Sequence, residues 1–167
     1  MQIPECFIIQ LIDFGEMITI KVKKLNNNAK LPTKAHSSDF CYDCVAVTEE
    51  EIAPNVWKYG LGLSFEIDRQ SCYFAYDDLN LAIDARPRSS IWKTGMILSN
   101  CVGTIDEDYR GEVCAIFYHV FPDRPRYKIG DKIIQIKLGE AESVKFKEVR
   151  ELSSTERGSG GFGSTGN

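Results

Sequence analysis

Residues 100–120 read NCVGTIDEDYRGEVCAIFYHV. Two apolar runs meet at an acidic turn, Asp106, Glu107 and Asp108, followed by Tyr109, Arg110 and Gly111. Asp and Gly are turn-forming residues between strands, so the stretch predicts a β-hairpin. The second run, VCAIFYHV at 113–120, is apolar on both faces, as in a central strand or one buried at a subunit interface. The plain reading of the turn is a solvated tip. A carboxylate held at a hairpin base beside an exposed tyrosine can also orient a water for attack. Free Asp has a pKa of about 3.9, so it acts as a weak base at neutral pH without tuning.

Outward from this hairpin the chain keeps a period of two. Ile18, Ile20 and Val22 alternate with Thr19, Lys21 and Lys23, and Leu61, Leu63, Phe65 and Ile67 with Gly62, Ser64 and Glu66. Both patterns suit half-buried strands. Ile133, Ile134, Ile136 and Leu138 predict another strand, and Val144, Phe146 and Val149 a last one. Helical periodicity is scarce, with one short helix expected at residues 89–93. The fold class is mostly β: a single-domain, jelly-roll-like β-barrel or sandwich with one short helix and a flexible Gly-rich C-terminal tail. Residues 1–16 are read as an N-terminal extension, 17–152 as the β domain and 153–167 as the tail. Residues 48–59 and 68–78 read as surface excursions.

Composition narrows the function. At 167 residues the chain is long enough for one well-buried domain. A net charge of −4 argues against broad binding to nucleic acid. An anionic substrate therefore needs local cations or a metal. The N-terminus has no basic segment ahead of its apolar run and carries Glu5, Asp13 and Glu16, unlike a signal peptide or membrane span. The six cysteines read as reduced thiols, and a cytoplasmic location follows by elimination. Cys41 and Cys44 make half a zinc site at best, with no second CxxC and two isolated histidines.

Three further segments carry chemistry. ARPRSSIWK at 85–93 sets Arg86, Arg88 and Lys93 beside the hydroxyls of Ser89 and Ser90, where a short helix would open toward a phosphate. The alternative is a solvated loop. GDKIIQIKL at 130–138 puts Gln135 among isoleucines, an amide to be satisfied by substrate or by backbone. RGSGGFGSTGN at 157–167 places one cation, one aromatic ring and three hydroxyls on a glycine ribbon. Composition alone favours a disordered tail. Such a ribbon can also close over a ligand with an aromatic face and an anionic end, as a nucleotide has. Its Gly158-x4-Gly163-Ser164-Thr165 spacing imitates a P-loop but lacks the lysine and has no helix to follow.

Taken together, RPRSS, NCVGTIDEDYRGE, GDKIIQ and RGSGGFGSTG resemble, in order and approximate spacing, the motifs of the trimeric deoxyuridine triphosphatase (dUTPase) family. KLNNNAKLPTKA at 24–35 resembles the family's N-terminal segment, so the likeness spans about residues 17–166. The resemblance implies Mg²⁺-dependent hydrolysis of dUTP to dUMP and pyrophosphate by a homotrimer with shared sites. Under it, Asp106 holds and activates the attacking water, and Tyr109 packs under the deoxyribose. Asn100 and the hairpin backbone from Gly103 through Ile105 to Asp106 read uracil. Arg88, Ser89, Ser90 and Gln135 form the phosphate side. Phe162 stacks on the base as the tail closes, with Gly163 allowing the turn, and Arg157, Ser164 and Thr165 reach the γ-phosphate. Asp43 helps to place Mg²⁺ through water. The chain departs from the family at SDFCYDC (38–44), where Cys41 stands for the usual glycine and Cys44 for the usual leucine. Two rivals share the fold. A dCTP deaminase would use a glutamate after the hairpin, here Glu112, and would lack DYRG. A non-catalytic regulatory dUTP-binding protein would have lost Asp106 or the tail, and both are present.

Overall fold

The computed structural model describes residues 17–71 and 79–161. Its strands are β1 (Ile20–Lys24), β2 (Tyr42–Val45), β3 (Thr48–Ala53), β4 (Val56–Gly60), β5 (Leu63–Ile67), β6 (Leu79–Pro87), β7 (Met96–Leu98), β8 (Gly103–Asp106), β9 (Cys114–His119) and β10 (Lys132–Glu142). All pairings are antiparallel, in sheets ordered β1-β5, β2-β10-β6-β8 and β3-β4-β9-β7. The sheets are open rather than closed into a barrel. The helical content among the described residues is two short 3₁₀ turns, Arg69–Ser71 and the expected one at Ser89–Lys93.

The three sheets share one apolar core. Its centre is an aromatic trio, Tyr59, Phe117 and Tyr127, with centroid separations of 5.3–6.4 Å and edge-on packing. Edge-on packing matches ring edges to ring faces. The Tyr59 hydroxyl donates to the Tyr127 carbonyl at 2.7 Å, which satisfies a polar group that burial would otherwise strand. Arg126 lies 3.7 Å above the Trp57 ring and holds Glu49 at 2.9 Å, closing the core from outside.

Residues 48–59 are therefore no excursion. Thr48–Ala53 and Val56–Gly60 form a hairpin built into the second four-stranded sheet, and Tyr59 is fully buried. The acidic residues hid this strand, because Glu49, Glu50 and Glu51 cover a sheet edge where charge guards against edge-to-edge pairing. The turn uses Asn55 at φ 61°, a conformation asparagine tolerates. A second correction concerns the last strand. Pairing stops at Glu142, and Val144, Phe146 and Val149 lie exposed outside any strand.

Two consecutive buried isoleucines break the period of two in β10. Lys132 and Ile134 face neighbouring residues, Val45 and Cys44, so Ile133 is a bulge and both Ile133 and Ile134 turn inward. Gly62, at φ 64°, separates β4 from β5; a Cβ there would lie 2.7 Å from that of Asn26.

Phe117→Ala should cost about 3–5 kcal/mol, the range for emptying a buried aromatic site. Urea unfolding should show a lower midpoint with an unchanged slope. A loss below about 1 kcal/mol would remove the trio from the centre of the core.

Candidate active site

The predicted site residues fall into two clusters, one on β8 and the turn after it, the other just past the end of β6. The predicted hairpin is not formed: β8 pairs with β6 and β9 with β4 and β7, because Val113 bonds to Leu61 and Leu63 and leads β9 onto the other sheet, so the acidic turn is a crossing between sheets. The first cluster is built on that crossing. Asn100, Gly103, Ile105, Asp106 and Tyr109 line a cavity of about 440 Å³, joined by Lys58, Glu112 and Cys114. Gly103 brings the backbone against Asn100, whose Nδ2 would lie 3.0 Å from a Cβ at this position. The Tyr109 ring lies across Gly111, where a Cβ would sit 2.6 Å from Cζ. Its hydroxyl donates to the Glu112 carbonyl at 3.0 Å, and its amide to the Asp106 carbonyl at 3.1 Å.

The acidic turn is anchored at one of its carboxylates. Arg69 donates to Glu107 through Nε at 2.5 Å and Nη2 at 2.6 Å, and Nη2 also reaches the Leu79 carbonyl at 3.0 Å. Those bonds hold the Glu107 carboxyl below its ordinary value, against a smaller opposing effect of burial. Ser64 Oγ donates to the Arg110 carbonyl at 2.8 Å. Glu112 accepts from the Gly62 amide at 2.8 Å. Asp106, by contrast, is exposed and has no side-chain partner among the described residues. A fixed turn carrying one free carboxylate can hold a water.

The second cluster surrounds Asp43. Arg88 donates to it through Nε at 2.7 Å and Nη2 at 3.2 Å, and Lys132 Nζ adds a bond at 3.0 Å. Burial pushes the Asp43 carboxyl up, but the bonds from Arg88 and Lys132 outweigh it and leave it below the ordinary range. Arg88 Nη1 reaches the Lys132 carbonyl at 3.3 Å and Ser90 Oγ at 3.4 Å. The Gln135 amide donates to the Pro87 carbonyl at 2.9 Å, so backbone satisfies it. Ser89 is exposed at the start of its 3₁₀ turn. That turn is five residues long, and its Arg88 cap makes no side-chain capping bond. Side chains, rather than a helix terminus, make this face cationic. The departures at 38–44 are absorbed. Cys41 is not among the positive-φ residues, and Cys44 is buried in the core with its thiol pushed up to about 12, an apolar filler.

Sequence reasoning missed that the hairpin is not formed, as well as Arg69, Glu107 and Ser64 as anchors of the acidic turn and Lys132 as the second cation on Asp43. Lys132 carried a signal, since it sits inside GDKIIQ; Arg69 carried none. Arg157 belongs to neither cluster, and its Nε donates to the Gly160 carbonyl at 3.0 Å in a local turn. Phe162, Gly163, Ser164 and Thr165 lie outside the described residues.

The register fixes the separation. Asp106 pairs with Ala82 and Gly103 with Ala85, while Arg88 follows the end of β6. At about 3.4 Å per residue, six residues of extended chain put roughly 20 Å between the Asp106 and Arg88 positions.

The family model for dUTPase matches residues 27–166. The deoxyuridine 5'-triphosphate nucleotidohydrolase of Nautilia profundicola is 36% identical over 149 residues, covering 88% of this chain and 98% of its own. That of Clostridium kluyveri is 38% identical over 147 residues, covering 87% and 96%. Among solved structures, the Staphylococcus bacteriophage 80alpha dUTPase with dUPNHPP superposes at TM-score 0.70 and 22% identity, over 89% of this chain and 99% of that one. A mutant dUTPase from phage phi11 of S. aureus, described with a structural Mg(II) ion, gives 0.62 at 18% identity, over 81% and 99%. These two show the shared fold. The chain belongs to the dUTPase family.

The Glu107 carboxyl is depressed in the folded chain, so its contribution is present above the ordinary value of 4.5 and lost as pH falls through the folded value. Both partners are about one-third exposed, so the contribution is roughly 1 kcal/mol or less. Thermal unfolding of Glu107→Gln should fall below wild type at pH 7, and the two should converge under acid. A gap that persists unchanged in acid would deny the ion pair this role.

Proposed function

We propose that the chain hydrolyses dUTP to dUMP and pyrophosphate, in sites each completed by two copies of the chain. The separation of the clusters carries this reading. Three linked phosphates cannot stretch from a water held on Asp106 to the guanidinium of Arg88 in the same copy. Placing the acidic turn of one copy against the Arg88 face of another brings both to one nucleotide. Two further observations favour association between copies, and the family resemblance gives the number as three. Residues 144–147 alternate apolar and charged side chains, yet Phe146 is 93% exposed. Ile97 and Tyr118, cross-strand neighbours on the outer face of their sheet, are each about half exposed.

In that site the cavity takes uracil and deoxyribose. Asn100 and the backbone from Gly103 through Ile105 pair with the base edge, and Tyr109, braced over Gly111, closes the space under the sugar against a 2′-hydroxyl. Asp106 accepts the proton of the attacking water. Arg88, Ser89, Ser90 and Gln135 orient the phosphates for in-line attack, which is mainly a task of positioning and charge stabilisation. The tail, with Arg157, Phe162, Gly163, Ser164 and Thr165, closes the site and excludes water.

Mg²⁺ fits as an ion carried by the triphosphate. Asp43 is a single carboxylate already bonded to two cations, and among the described residues no group of three acidic, His or Cys side chains could hold a metal. Mg²⁺ commonly keeps several waters beside phosphate oxygens and one or two carboxylates, and when bound it neutralises phosphate charge. The deaminase reading is disfavoured because Glu112 is bonded to the Gly62 amide. No described helix is long and apolar enough to cross a membrane.

Asp106→Asn should abolish pyrophosphate release while dUTP still binds; substantial turnover would remove Asp106 as the base. Arg88→Ala should be similarly inactive. Co-expressing these two variants should restore activity at about a quarter of the sites by random assortment, because some sites then draw both intact residues from different copies. No recovery in mixed assemblies would place each complete site within one copy.

A further inference from the structure

Arg86 stands two residues before Arg88, and the backbone stays extended through Arg88 (φ −82°, ψ 153°), so both side chains leave the same face of the sheet. The register sets Arg86 opposite Gln135 and Gln135 opposite Asp43, one row across β6, β10 and β2. Arg86 thus borders the phosphate cluster without having a role in it.

Its hydrogen bonding is incomplete. The Nε atom is buried and has no acceptor. The bond formed by the guanidinium is a long one, Nη2 to Asp84 Oδ2 at 3.3 Å. That same oxygen takes Lys137 Nζ at 3.1 Å. Gly139 leaves a notch for this carboxylate, whose oxygens would lie 3.0 and 3.2 Å from a Cβ there. Asp84 therefore keeps a cationic partner, in a fitted place, when Arg86 moves away. Arg88 is in the opposite condition. Two of its nitrogens are committed to Asp43 and the third to Lys132 and Ser90.

We propose that Arg86 is a second phosphate-binding guanidinium, which turns from Asp84 to lay its fork on the pyrophosphate portion of the nucleotide. This rests on the reading of the site given above. A guanidinium carries five donors in a planar fork that matches phosphate oxygens two at a time. Arg88, anchored by Asp43, sets the position of the phosphates, and Arg86 supplies the donors that Arg88 has already spent on the protein.

The test titrates inorganic pyrophosphate and, separately, deoxyuridine into the assembled full-length protein, for wild type, Arg86→Gln and Arg86→Lys, alongside steady-state kinetics on dUTP. Arg86→Gln should weaken pyrophosphate binding at least tenfold and raise KM for dUTP by a similar factor, with kcat changed less and deoxyuridine affinity unchanged. Arg86→Lys, which keeps the charge and loses the fork, should fall between. Unchanged pyrophosphate affinity in Arg86→Gln would overturn the proposal, as would an equal loss of deoxyuridine affinity, the mark of a structural prop. Wild-type protein that does not turn over dUTP would sink the dUTPase reading instead, and pyrophosphate alone would then decide the role of Arg86.

Discussion

The ladder between β6 and β10 is the constraint on which the rest depends. Nine residue pairs, from Ile134↔Pro87 to Glu142↔Leu79, lock the two strands in one register. That register puts the Gln135 amide on the Pro87 carbonyl and lets Lys137 reach Asp84. Through β2, on the far edge of β10, it also delivers Asp43 to Arg88 and Lys132. The other edge of β6 carries β8, and with it Asp106 and the acidic turn. A slip of one residue would turn every side chain to the opposite face and dismantle both clusters at once.

The charge of the molecule is arranged against its own average. The chain is net −4, yet the face formed by β2, β10 and β6 gathers Arg86, Arg88, Lys132 and Lys137 against two carboxylates, Asp43 and Asp84. Four cations less two anions leaves that face positive. The carboxylates stiffen the long cationic side chains, so less freedom is lost when an anion arrives. At the acidic turn the sign reverses: Arg69 takes up Glu107 and leaves Asp106 unpaired. The two clusters are thus opposite in charge, the arrangement that the proposed pairing of copies would use.

Much of this was legible in the sequence. The strands at 18–23 and 61–67 announced themselves by period two, and those at 113–120 and 133–138 by runs of apolar residues, because each has one face or both in the core. The acidic turn was legible through its Asp–Gly chemistry and the family through four short polar motifs, but turn chemistry does not say whether the flanking strands pair, and here they enter different sheets. What stayed hidden has physical causes. Glu49, Glu50 and Glu51 made an edge strand look like a loop, since edge protection and solvation use the same residues. The apolar residues Val144, Phe146 and Val149 looked like a strand, and the chain leaves the sheet before them. Arg69 anchors the acidic turn across 38 residues of sequence, and no local pattern announces such a contact. Nor does spacing show that Arg88 and Asp106 lie six residues apart along β6; the register does.

The bond from Lys132 to Asp43 joins residues 89 apart in sequence. Its strand, β2, lies near the start of the described chain and has one long neighbour, β10, close to the end. While the chain is being made, β2 must therefore wait for nearly the whole protein to emerge. Sheets closed by such distant pairings fold slowly, on the order of milliseconds to seconds, because the entropy of closing the loop is lost before contacts repay it. The nascent protein thus passes through an interval in which apolar strands stand open. How many copies reach the folded state then depends on the rate of translation and the help of chaperones as well as on the stability of the finished sandwich.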